Sequence, residues 1–377
     1  MKTVIKKWSP IVFVLLACGI MIFCSTMIYE NNYLPDRLNR NVQYYKAEVI
    51  EIVEDLIEPD SYTGEFEVGV QNIKVEIKGG PYKGEQYEFK NYVSRLYNIV
   101  LQEKNNIVVA AFIEDGQISE LNVNSYYRSD VLLVLALIFF ALVAWVGKFK
   151  GVKSVVSLLF TGTCIVCLMI PMMLRGAEPI AAALLVVVLS TTVTLGLVSG
   201  RSKKTVNAII GTLAGVIIAT VVAYLFGHLA NLSGGTMQDT ESLLYVSETS
   251  GLKVKGLLFA SILIASLGAV MDVAMSIASA MYEFITVNPN LSKKELIRSG
   301  MNVGTDMIGT MTNTLVLALA GGSLNGFILI FVASMDTTHM LNLDVLGVEI
   351  IQGLAGSIGI VMTVPVSVLV GCMLYKK

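Results

Sequence analysis

Runs of about twenty consecutive apolar residues, separated by short basic loops, constrain this chain more than any other feature. Each run is long enough to cross the hydrocarbon core of a bilayer as a helix, and no soluble domain can bury so many of them together. Composition agrees. The chain has 377 residues, of which 54% are hydrophobic and 15% charged, where a soluble domain holds about 45–50% and about 25%. The net charge of −2 carries no argument for nucleic acid, because the charges cluster in 30–128 and in short loops. No nucleic-acid partner is expected.

The first run, Trp8–Ile28, follows Lys2, Lys6 and Lys7. A secretory signal core is only about 7–15 residues, so this longer run predicts an uncleaved anchor over 1–29. Further runs predict spans near 130–147, 154–174, 179–199, 206–230, 256–283, 302–320 and 350–374. Lys148, Lys150 and Lys153 follow the first of these, Arg201, Lys203 and Lys204 the third, and Lys293, Lys294 and Arg298 the fifth. Placing the basic loops in the cytoplasm puts the N-terminus inside and residues 30–128 outside. Asn325–Met335 is too short to cross, and Asp336, Thr337 and His339 follow it, so 325–345 is expected to be re-entrant. Glu349 is expected to cap the start of the last span.

Residues 30–128 read differently. Alternating runs at Ala47–Val53, Val70–Ile77, Gln86–Phe89 and Ile107–Ile113 are punctuated by Gly64, Gly79-Gly80-Pro81 and Asp115-Gly116. Period two with such turns predicts a small all-β barrel or sandwich, with an OB-like barrel as one form. Residues 129–377 form the membrane bundle. The expected fold is thus an α-helical polytopic membrane protein of about eight transmembrane helices plus the re-entrant segment, with a small β domain outside.

All five cysteines lie in apolar segments, and Cys164-x-x-Cys167 falls mid-span, so packing explains them better than a redox pair. His228 and His339 are far apart, and no metal, cofactor or enzyme chemistry is expected: no HExxH or serine–histidine pattern is present.

The chemistry sits in two spans. Asp272, Ser276, Ser279 and Glu283 share one helical stripe, continued backwards by Gly268, Ala265 and Ser261. Asn302, Asp306, Thr310 and Asn313 share another, beside Gly309. A charged Asp at mid-span costs about 2.5–3.5 kcal/mol on insertion scales, so such acids are expected to face the bundle interior. Asp272 lies about 16 Å deeper than Glu283 at about 1.5 Å rise per residue, near the midplane. No Lys or Arg accompanies the acids within these spans, so they are held protonated or bind a cation. Close packing and interhelical hydrogen bonds are the competing reading of both stripes, while Gly211-x-x-x-Gly215 and Gly353, Gly356 and Gly359 are expected to make close helix contacts.

Gly268-Ala-Val-Met-Asp272-Val-Ala-Met-Ser276-Ile-Ala-Ser279-Ala-Met-Tyr-Glu283 resembles the hallmark of the YibE/F family of bacterial membrane proteins. Gly304-Thr-Asp306-Met-Ile-Gly309-Thr310-Met-Thr-Asn313, then Gly321-Gly322, and Gly356-Ser-Ile-Gly359 with Pro365 are similar to it as well. The resemblance covers about residue 130 to the end. The anchor plus outer domain resembles the YibE-like members, which implies a plasma-membrane location in a Gram-positive bacterium and a YibF-like partner subunit or a homo-oligomer. A fainter likeness, in the Gly-x-x-x-Asp helix and the Thr/Asn-rich one after it, is to SecDF and the resistance-nodulation-division transporters.

Two functions follow as expectations. One is a transporter coupled to H+ or a monovalent cation, with Asp272 and Asp306 as relay, Glu283 at its cytoplasmic end, Ser276, Ser279, Thr310 and Asn313 lining the path, and 325–345 as gate. The other is a non-transporting assembly or sensory partner, whose outer domain binds a protein or ligand.

Overall fold

The computed structural model describes residues 2–30, 42–62, 64–232, 240–333 and 336–376. The chain divides into two compact units, Met1–Pro35 with Val143–Lys377, and Asp36–Leu142.

The smaller unit holds β1 (Val42–Pro59), β2 (Glu67–Ile77), β3 (Gln86–Val93), β4 (Asn106–Glu114) and β5 (Gln117–Tyr126) in one antiparallel sheet of order β3-β2-β1-β4-β5. The alternating runs all fall on strands. β1 serves two neighbours: Val42–Glu48 pair with β4, and Ala47–Pro59 pair with β2. Register shifts at Val49/Glu51 and Ile52/Glu54 mark where it bends, and the edge strands β3 and β5 approach one another. The result is a five-stranded half-barrel around Ala47, Val49, Ile73, Val75, Ile77, Ile107, Val109 and Ala111.

Buried amides fix the loop between β3 and β4. Gln71 is fully buried; its Nε2 donates to Leu101 O at 3.0 Å and its Oε1 accepts from Leu101 N at 2.9 Å. Asn91 Nδ2 donates to Ile99 O at 2.8 Å. Burying two amides is tolerable because each is paired.

The larger unit is helical: α1 (Lys2–Glu30), α2 (Ser129–Cys164), a π-turn (Ile165–Met169), α3 (Ile170–Leu174), α4 (Pro179–Ser199), α5 (Lys203–Leu229), α6 (Thr240–Thr249), α7 (Leu257–Val287), α8 (Lys293–Gly322), α9 (Leu324–Val332), α10 (Thr337–Leu341) and α11 (Asp344–Tyr375), with the first part of α2 in the other unit. Several are long and apolar enough to cross a membrane.

α2 is two helices. Lys148 takes φ 50 and ψ −133, far from helical values. A Cβ on Gly151 would overlap the carbonyl oxygen of Val143. In a continuous helix residues eight apart are about 12 Å apart, so the chain doubles back at Lys148. The π-turn has a local cause: Pro171 has no N–H to give Cys167, and Ile170 N bonds Ile165 O instead.

α7 is the hub, packed against α4, α5, α8 and α11. Its Leu258, Leu263, Val270, Val273, Ile277 and Met281 are buried in the core. The glycine reading holds at four of five positions. Gly211 and Gly215 of α5 back onto Ser367 and Thr363 of α11, Gly359 onto Ala219 and the Gly215 carbonyl, and Gly356 onto Leu315. Gly353 has only Leu319 at 3.9 Å, an ordinary contact.

Several boundaries differ from expectation. α8 begins at Lys293 instead of near 302, because Ser292 and Glu295 form a capping box, with Glu295 N donating to Ser292 Oγ at 3.2 Å and Ser292 N to Glu295 Oε2 at 2.8 Å. α11 begins at Asp344, so Glu349 lies inside the helix, and Asp344 is the acid of its first turn. The segment between α5 and α7 contains the short helix α6. α8 and α9 meet at 64°.

Candidate functional site

The two polar stripes both exist as helical faces, and both turn away from the packed core. On α7 the buried face runs through Leu263, Val270, Ile277 and Met281. Asp272 stands about 200° from Val270 at 100° per residue, close to diametrically opposite. Asp272 and Glu283 are exposed, and Ser276 and Ser279 are half-buried. On α8 the buried face is Leu296, Gly300, Gly304 and Leu315. Asn302, Asp306, Thr310 and Asn313 are exposed. The expectation that the acids face the interior of the chain's own bundle is therefore corrected. The apolar residues alternate with them at helical spacing and win the interior, because burying a Leu or Ile is favourable and burying a carboxylate without a partner is not.

Neither stripe satisfies the other. Ser279 Oγ donates to Met275 O at 2.8 Å and Thr310 Oγ1 to Met307 O at 3.1 Å, each within its own helix. Thr305 and Thr314 likewise bond their own helix. Asp272, Asp306, Asn302 and Asn313 have no hydrogen bond or ion pair among the described residues. α8 thus presents two amides, a carboxyl group and Gly309, at which a Cβ would meet nothing within 4 Å.

Asp336, Thr337 and His339 meet at the start of α10, where Asp336 Oδ1 accepts the His339 N–H at 2.9 Å. That is a helix cap of five residues. Among the described residues between α9 and α11, α10 is the helix present. His228 lies elsewhere, its ring stacked on Tyr224 at 6.3 Å. Cys164 and Cys167 are free thiols.

Reading the sequence passed over Asn207, a fully buried amide one turn into α5. It sits against Gly371 of α11, where a Cβ would lie 2.7 Å from its Nδ2. The available signal was a polar residue four before Gly211 on the glycine face.

A family model described as YibE/F-like protein matches residues 135–377. No curated protein and no solved structure matches the chain. The matched residues contain both polar stripes, the glycine interfaces and the bent α8–α9 pair, and they make up well over half of the sequence: the chain belongs to the YibE/F-like family.

Proposed function

We propose that the chain is a plasma-membrane protein of about eight spans that passes a proton or monovalent cation along the polar faces of α7 and α8, with Asp272 and Asp306 as the carriers. The N-terminus is cytoplasmic and the half-barrel, OB-like in its strand order, is outside. The span count rests on the reversal at Lys148, which divides α2. One observation carries the relay: both acids lie unpartnered on faces turned away from the apolar core. A bilayer cannot solvate such faces, so the working unit contains a second chain, a further copy or a related membrane subunit, that closes over them. Ser276, Ser279, Thr310 and Asn313 line the path so formed, Glu283 stands at its cytoplasmic end, and the segment after the α8–α9 bend supplies the gate.

The test is proton and cation flux in proteoliposomes carrying the complex as purified from its own membrane. Flux is expected in wild type and lost in both Asp272→Asn and Asp306→Asn. Undiminished flux in the two variants sinks the relay. The same outward faces also favour a second reading, a non-transporting assembly partner; an intact complex with no wild-type flux selects that one.

A further inference from the structure

Where Lys153, Arg201 and Lys203 gather, α1, α4, α5 and the second part of α2 border an open cavity of about 1410 Å³. Its lining changes character along the helices. Lys153, Arg201 and Lys203 stand at the helix ends, with the hydroxyls of Ser202 and Thr205 beside them. Phe13 of α1, Val193 of α4 and Ile209 of α5 line it further in; Ile209 is about 9 Å along α5 from Lys203 at about 1.5 Å per residue. Among the described residues no acidic side chain lines it.

The room comes from α4. Gly196 near the end of α4 and Gly200 just past it carry no side chain, so this side of the helix end is nearly bare. A Cβ on Gly196 or Gly200 would meet nothing within 4 Å. Beside the cavity α1 is fastened: Ile11, Val14 and Cys18 are buried against Val156, Phe160 and Leu197, and Val14 and Leu197 also border the cavity. The gap is therefore framed by packed helices.

The cations are not spent internally. Arg201 has no hydrogen bond or ion pair among the described residues. Lys153 has only the Phe149 ring, 5.4 Å from its Nζ, and Lys203 Nζ gives one bond, to Leu374 O at 3.0 Å. Ser202 caps α5, so the positive end of that helix points to the same place.

We infer that this cavity binds a phosphate-bearing amphiphile, an anionic phospholipid, with its phosphate among Lys153, Arg201 and Lys203 and an acyl chain along Phe13, Val193 and Ile209. A basic pocket over an apolar groove between membrane helices is the chemistry such head groups recognise. The lipid fills the space between α1 and α5 and ties the anchor to the bundle. The inference rests on the membrane reading above.

The experiment uses the full chain, purified in detergent and titrated with dioleoyl phosphatidylglycerol, dioleoyl phosphatidylcholine or sn-glycerol 3-phosphate, with bound lipid read by native mass spectrometry and by thermal shift. Phosphatidylglycerol is expected to bind about tenfold tighter than phosphatidylcholine, and the double variant Lys153→Glu/Arg201→Glu to bring the two to parity. Gly196→Phe is expected to lower occupancy by both lipids with the lipid-free melting temperature kept; the charge variant reads the site independently of whether that one folds. Equal binding of the two lipids by wild type, or a preference unchanged in the charge variant, overturns the inference. Stabilisation by glycerol phosphate equal to that by phosphatidylglycerol overturns the lipid and leaves a soluble anion site. An alkaline carbonate wash tests the membrane reading separately: a chain released by it was never integral, whatever the titration gives.

Discussion

Arg95 holds Asp60 with two parallel hydrogen bonds, Nη2 to Oδ1 at 2.8 Å and Nε to Oδ2 at 3.0 Å. Asp60 is almost wholly buried while Arg95 is half exposed and lies over the Tyr62 ring at 4.6 Å. The pair joins the β1–β2 turn to the start of the β3–β4 loop. Truncating the arginine leaves a carboxylate short of its cation, which is the costly half of such a pair to leave behind. Arg95→Ala is expected to destabilise the half-barrel, seen as faster amide exchange in residues 94–105 by mass spectrometry. Unchanged exchange there would mean that Gln71 and Asn91 hold the loop unaided.

The reversal at Lys148 makes a sharper prediction, because it contains its own control. Gly151→Leu drives a side chain into the Val143 carbonyl and is expected to cost about 3 kcal/mol. Gly147→Leu, four residues earlier, points into open space and should be nearly silent. Yield and melting temperature of the two proteins in detergent check the pair. Equal behaviour would show that the turn does not depend on this close approach.

The α5–α11 seam is expected to be as intolerant. A Cβ at Gly215 would overlap Thr363 Oγ1 and lie 2.8 Å from Val270 Cγ1. Gly215→Val should lower stability by about 3 kcal/mol, whereas Gly268→Val, with nothing within 4 Å of its Cβ, should leave the isolated chain unaffected. Thermal unfolding of the detergent-solubilised chain distinguishes them.

Gly309 separates folding from assembly. It lies on the exposed polar face of α8, so Gly309→Leu should leave the single chain's melting temperature unchanged and yet keep a second chain at a distance. Cross-linking through Asn313→Cys, strong in an otherwise wild-type background, should fall about tenfold or more when Gly309→Leu is added. Cross-linking that survives the leucine would place the second chain on another face.

Tyr87 carries a pH signature outside the membrane. Burial first, and then its hydrogen bond to Glu85, push its hydroxyl from the ordinary 10 up to about 12. The folded state favours the neutral phenol, so this contribution is complete below about pH 10 and is lost as pH rises toward about 12. Tyr87→Phe should flatten that alkaline decline, measured by denaturant unfolding of the half-barrel across this range. A decline of the same steepness in the variant would assign it to another group.

Much of this architecture can be read from residue order alone, and the limits are physical. Strand alternation marked β1 to β4, but the run Ala47–Val53 shows less than half of β1, because its far end is exposed on both faces and has no apolar rhythm. Hydropathy marks where a helix meets lipid, which is why α8 and α11 start earlier than their apolar stretches: Lys293, Lys294 and Asp344 are helical without being apolar. α6 is too polar for hydropathy to find. Periodicity placed Asp272 with Ser279, and Asp306 with Asn313, on common faces. It fixes angles around one axis only, so it could not say that both faces look outward. That depends on which neighbours occupy the other side, and α11, more than a hundred residues after the start of α5, decides it.

On the assembly proposed above, the outward carboxylates turn copy number into a stability variable. If a second chain covers them as proposed, the cost of about 2.5–3.5 kcal/mol that a mid-span acid such as Asp272 carries on insertion scales is relieved by assembly. Molecules made in excess of their partner would be the ones least firmly seated in the bilayer, and the first to be extracted and degraded. Subunit ratio would then be policed by solvation itself, with no dedicated counting device.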